Sequence, residues 1–260
     1  MSDAERGFYQ ALNDYLADGF ALAQKQGGKA RALGFVMTIF QKIAASSFAA
    51  VHRTLRRRLI ALTVQEALHH DSSLDIDARD TAFDEAREQI RTEWALGNDQ
   101  MADVEVDRVL NDLKRRLLKK MDEEQLALAS DTFAEELDTS AAEDAAMSAV
   151  SYALPEERLR IKDLLGMFPL VKETKVEKLL GALGILWKEN TKERIVIFAT
   201  YLGTVEMIGE AIETAYPGQG VVVLKGGDHG TKLAAEKKFK HAEGPRVMIC
   251  TAAGREGINL

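Results

Sequence analysis

Apolar residues recur every four positions near the start of the chain. Phe8, Leu12, Leu16 and Phe20 form one stripe of an amphipathic helix over 4–24, closed by Gly27 and Gly28. Residues 30–45 (ARALGFVMTIFQKIAA) are apolar on most faces, which predicts a buried helix. Ser46 and Ser47 then offer a cap for a third helix running to about His70. Over 102–128, Val106, Leu110, Leu113, Leu117 and Met121 fall on one face of a long helix or of one arm of a helical hairpin. Residues 130–153 are rich in Ala and acids, hold few large apolar side chains, and are expected to be mobile.

After Pro169 the pattern changes. An amphipathic helix over 174–189 precedes the short apolar run Ile195–Ala199, a helix at 203–215, the run Val221–Leu224, a helix at 230–241 and the run Val247–Cys250. Short apolar runs alternating with helices of this length predict βαβαβ and a parallel sheet. Breakers divide the chain at the same place. All four prolines and 13 of the 19 glycines lie at or after residue 155, while residues 35–165 hold only Gly97 and Pro155. The first part therefore reads as a series of helices.

Charge sharpens this division. Residues 1–60 carry nine basic and four acidic side chains, residues 61–165 carry 12 and 26, and residues 166–260 carry 13 and 11. The net charges are +5, -14 and +2, so a nucleic-acid partner would avoid the middle segment and tolerate the flanks. At 260 residues, with 46% hydrophobic and 29% charged side chains, the chain is globular in composition. No apolar run reaches the roughly 18 residues of a spanning helix, and no membrane partner is expected. The start, MSDAERGFYQ, has no secretory pattern. The single Cys250 excludes a disulfide framework and a multi-cysteine zinc site, and the reducing cytoplasm is the expected location.

The sequence contains no GxxxxGK[ST] phosphate loop, no DExx-type acidic pair after an apolar strand, no HExxH and no GxSxG. His69 and His70 read as exposed helix surface. The cluster Arg53, Arg56, Arg57 and Arg58 reads as a solvated helix face, or else as a contact that tracks phosphates. The informative segment is the last one, residues 246–260 (RVMICTAAGREGINL). A buried strand there delivers Thr251 to the carboxyl edge of the sheet, where open α/β folds bind ligands. Gly254 and Gly257 allow a sharp turn and close approach to a ligand. On spacing alone these glycines fit an ordinary strand-to-helix loop better than a ligand site.

The segment C-T-A-A-G-R-E-G-I-N-L resembles motif V of superfamily-two helicases, in the form found in Swi/Snf-type ATPases. Two further segments agree in order. E-R-I-V-I-F-A-T-Y-L-G-T (193–204) resembles motif IV, the first strand of the second RecA-like domain, and V-V-V-L-K-G-G-D-H-G (221–230) resembles the next strand and its turn. The segment G-F-V-M-T-I-F-Q-K-I-A-A-S-S-F-A-A is similar to the helical stretch before that domain in bacterial RapA-like and phage-defence helicases. The resemblance is strong over 193–260 and weaker over 4–60, and 70–165 shows none.

The resemblance implies roles where residues match. Thr251 stands for the motif V threonine that contacts a nucleic-acid phosphate, with Gly254 in the same loop. Glu256, Gly257 and Asn259 would face the nucleotide cleft. Asn259 stands where related helicases place an Asp near the ribose, so it lacks a carboxylate's charge-assisted strength. Tyr201, Thr204, Gly226, Gly227 and His229 sit in loops at the same edge, as further nucleic-acid contacts beside Arg56, Arg57 and Arg58. The chain stops at Leu260, straight after motif V, so the family's motif VI and arginine finger are expected to be missing, as is the first RecA-like domain.

The expected architecture is α/β. It comprises a helical brace (1–70), an acidic helical insertion (71–165) and an incomplete, parallel-sheet C-terminal RecA-like domain (166–260). The expected function is that of the C-terminal part of a nucleic-acid-dependent ATPase, a helicase or translocase. It would supply nucleic-acid backbone contacts and one wall of an ATP cleft. ATP and Mg2+ belong to the complete protein and none is expected on this chain alone, which should be inactive. The implied partners are the missing first RecA-like domain, DNA or RNA, and a second copy through an exposed sheet edge. The rival reading is a non-catalytic helical interaction module carrying a Rossmann-like remnant.

Overall fold

The computed structural model describes residues 1–25, 30–72, 76–94, 106–108, 110–111, 113–115, 156–169, 173–224, 229–241 and 243–251. Helices α1 (Asp3–Lys25), α2 (Ala30–Ser46), α3 (Phe48–Ser72), α4 (Ile76–Trp94) and α5 (Glu157–Gly166) come first. Then follow α6 (Thr174–Glu189), β1 (Ile195–Phe198), α7 (Leu202–Ala215), β2 (Val221–Leu224), α8 (His229–Lys240) and β3 (Val247–Cys250). The described residues are mainly helical and include one small parallel sheet.

The stripe of α1 is buried as its spacing requires. Phe8, Leu12 and Leu16 lie in one core with Leu33, Val36, Met37, Phe40 and Ile43 of α2 and Val51, Leu55, Leu59 and Ile60 of α3. Phe8 sits edge-on between Phe48 and Phe168, with ring centroids at 5.4 and 5.5 Å. The same core takes in Ala86 and Ile90 of α4, Val106, Leu110, and Ile161 and Leu164 of α5. Residue 70 is therefore no packing boundary. Helices α4 and α5 complete the brace, although both fall in the acidic stretch, because their apolar positions keep helical spacing and their described acids, Glu157 apart, lie at or near the surface. The 130–153 segment, and all of the 102–128 stripe beyond residue 115, lie outside the described residues.

The sheet has the order β1-β3-β2, all parallel, with Ile195 and Val221 both opposite Val247. Strand β3 is central, and all four of its side chains are buried, as a near-continuous apolar run in a parallel sheet requires. Alternate residues feed opposite layers. Val247 and Ile249 pack under α6 and α7 with Val176, Leu180, Leu183, Val205 and Ile212. Met248 and Cys250 pack under α8 with Val222, Leu224 and Phe239. Helices thus cover both faces. Trp187 of α6 closes the first layer, edge-on to Tyr216 at 5.0 Å, with its Nε1–H donated to the Glu193 carbonyl at 3.2 Å.

Candidate functional site

The carboxyl edge of the sheet is tied across all three strands. Ala199 N–H donates to the Cys250 carbonyl at 2.9 Å, and Thr251 N–H donates to the Leu224 carbonyl at 3.1 Å. Thr251 thus leaves the middle strand at the centre of that edge and is 6% exposed as a residue. His229 is the first residue of α8. Gly226, Gly227, Gly254, Glu256, Gly257 and Asn259 lie outside the described residues.

Tyr201 and Thr204 do not face the edge. Tyr201, which precedes α7, is buried in the core of the brace. Thr204 Oγ1 hydrogen-bonds with Ser46 Oγ at 2.9 Å and Ser47 Oγ at 2.8 Å. Both residues are thus corrected from loop contacts to parts of a joint. The cause is local. Helix α7 begins immediately after Tyr201, and its first turn is pressed against the start of α3. A Cβ on Gly203 would come within 2.9 Å of the Ala50 Cα, so only a glycine lets these backbones approach so closely.

The joint is also clamped from outside. Ser47 Oγ caps α3 by accepting Ala50 N–H at 3.1 Å, as the sequence predicts. Glu173 Oε2 accepts Phe48 N–H at 3.1 Å, and burial pushes this carboxyl up. Lys175 Nζ donates to the carbonyls of Ala45 and Ser46, at 2.8 and 3.2 Å, satisfying the open end of α2. Arg53 and Glu206 pair across α3 and α7 near the surface.

Arg58 does not lie on a solvated helix face. Its side chain is fully buried, paired with Glu157 of α5 through Nε and through Nη2 at 3.0 Å. Tyr15 of α1 donates its hydroxyl to Glu157 Oε1 at 2.6 Å. Burial opposes the charge on Arg58, but Glu157 outweighs it and holds the guanidinium above its usual range. Burial, then the Glu157 carboxylate, pushes the Tyr15 hydroxyl up. Arg58 therefore cannot meet a phosphate. Arg56 and Arg57 are half-buried on the same helix. Beside them His52 packs at a tilt against Phe168, with ring centroids 4.2 Å apart, and burial, then Arg56, lowers its imidazole to about 4, so it is neutral at pH 7.

Glu5 links α1 to α6. Its carboxylate accepts Thr174 Oγ1 at 2.6 Å and Thr174 N–H at 2.8 Å. Burial raises its pKa, but the bonds from Thr174 and Ser2 and the N-terminal ammonium prevail and lower it to about 2. A depressed carboxylate stabilises the fold above its unfolded value, near 4.5, and that contribution fades as pH falls toward 2. Glu5→Gln is therefore expected to flatten the acid side of a plot of urea midpoint against pH between 5 and 2.5. An unchanged acid slope would dissociate the cap from stability.

Among the described residues, no group of three or more His, Cys, Asp and Glu side chains is placed to hold a metal ion. None of the described helices is long and apolar enough to cross a membrane. Neither a family model, nor a curated protein, nor a solved structure matches the chain.

Proposed function

We propose that the chain acts as the C-terminal part of a nucleic-acid-dependent ATPase of Swi/Snf type, with the carboxyl edge of its sheet facing phosphate. One observation carries this reading. The central strand β3, flanked by parallel neighbours and covered by helices on both faces, ends on Thr251, and the sequence A-A-G-R-E-G-I-N-L follows directly. The carboxyl edge of such a sheet is where ligands of open α/β folds bind. In this reading Thr251 and Gly254 meet the nucleic-acid backbone, while Glu256, Gly257 and Asn259 line the nucleotide cleft. ATP and Mg2+ are held chiefly by a partner domain that brings the phosphate loop.

Fluorescence anisotropy with a labelled duplex tests this. Thr251→Val keeps the side-chain shape and removes the hydroxyl, so affinity is expected to fall roughly fivefold, the worth of one hydrogen bond of about 1 kcal/mol. Equal affinity in a folded variant would sink the assignment. Phosphate release from ATP should stay at background for the purified chain, since its sequence holds no GxxxxGK[ST].

The interaction-module reading draws on a different observation. Tyr201 and Thr204 are both committed to the joint with the brace. If the chain shows no affinity for DNA or RNA even at low salt, that reading replaces the first.

A further inference from the structure

The opposite edge of the sheet carries charge that the carboxyl edge does not use. Helix α8 connects two parallel neighbours, β2 and β3, so it returns toward the amino ends of the strands. Its last turn holds Lys237, Lys238 and Lys240, all exposed. Two arginines reach the same end from other elements. Arg194 immediately precedes β1; its Nη2 donates to the His241 carbonyl, and its guanidinium lies 5.7 Å from the Phe239 ring centroid. Arg246 immediately precedes β3.

With Lys188 and Lys192 these make seven cations at this edge, against Glu189, Glu193, Glu213, Glu236 and Glu243, and the three lysines of α8 are their densest group. A helix C-terminus favours a cation over its last carbonyls. That accounts for a lysine on α8, but not for arginines delivered by the approaches to two strands.

We propose that this amino edge is a second nucleic-acid contact, which binds phosphates without reading sequence. It rests on the proposed function only for the class of partner. Exposed lysines act as point charges that suit a row of phosphates, and a guanidinium already held by His241 and Phe239 loses little freedom on binding. A protein partner would instead need buried apolar or aromatic anchors at the centre of the patch. Here Phe239 is buried under the sheet, and the exposed Leu233 lies a turn before the lysines.

The test uses the whole chain and a labelled 20-base-pair duplex of mixed sequence, titrated at several salt concentrations. The variant K237E/K238E/K240E is expected to weaken binding at least tenfold at low salt. It should also reduce the slope of log affinity against log salt by roughly two, at about 0.9 per phosphate contact. The neutral variant K237A/K238A/K240A should fall between, and K25E/K42E/K178E, with the same change in net charge on exposed positions away from this edge, should keep the slope.

A control that loses as much as the α8 variant overturns the proposal, as does an unchanged slope in the α8 variant. No binding of the duplex, or tighter binding of polyglutamate than of the duplex, overturns it too. Loss of binding by Thr251→Val with the α8 variant unaffected would keep the proposed function and remove this site. The reverse pattern would keep this site and remove that assignment.

Discussion

Glu157→Ala is expected to unfold the brace, or to lower its urea midpoint by the equivalent of about 3–5 kcal/mol, the usual result of removing one partner from a buried ion pair. Arg58 would keep its charge with no exposed surface to hydrate it, and Tyr15 would lose the acceptor of its hydroxyl. The stability of native domains is itself only about 5–15 kcal/mol, so this one change takes much of it. The double variant Arg58→Met with Glu157→Leu separates charge from packing. Replacing both partners by apolar residues of similar volume is often neutral or stabilising. The double variant should therefore melt far above Glu157→Ala when followed by circular dichroism. A Glu157→Ala protein within about 1 kcal/mol of the parent would show that the pair is solvated.

Gly203→Val is expected to split the molecule thermally. Its first added carbon would lie 2.9 Å from the Ala50 Cα, a backbone atom that cannot rotate away. The overpacking costs about 1–3 kcal/mol. The forced separation of α3 and α7 adds the loss of the Thr204 bonds to Ser46 and Ser47, each worth about 1 kcal/mol. Calorimetry should then show separate transitions for brace and sheet, with Trp187 fluorescence, read in a Trp94→Phe background, following the sheet. Gly209→Ala in the same helix is the control. There a methyl group meets only Ile249 Cδ1, at 3.8 Å, so the midpoint should stay or rise. One cooperative transition at the parent temperature in Gly203→Val would show that the joint does not couple the two parts.

What the sequence reveals here is what neighbours along the chain decide. The Phe8, Leu12, Leu16 stripe, the Ser47 cap and the three apolar runs are set within a turn or a strand, and each stands where its pattern predicts. Arg58 shows the limit. Its local surroundings, Arg56 and Arg57, suggest a solvated face. Its actual surroundings include a carboxylate 99 positions away, which no local pattern reports. Tyr201 and Thr204 misled for the same reason. Binding residues are found disproportionately on loops, but here an entire helical body stands against this one. Helix α4 carries acids on its outer face, and that charge hides the Ala86 and Ile90 positions that join it to the core.

The close approach of Gly203 to Ala50 also sets where the chain can change in length, and the tightest constraint lies between α2 and α3. Only Ser47 separates these helices. One residue inserted there would extend a helix by about a quarter turn and swing Ala50 away from Gly203. Natural variation in length should therefore be absent at Ser47.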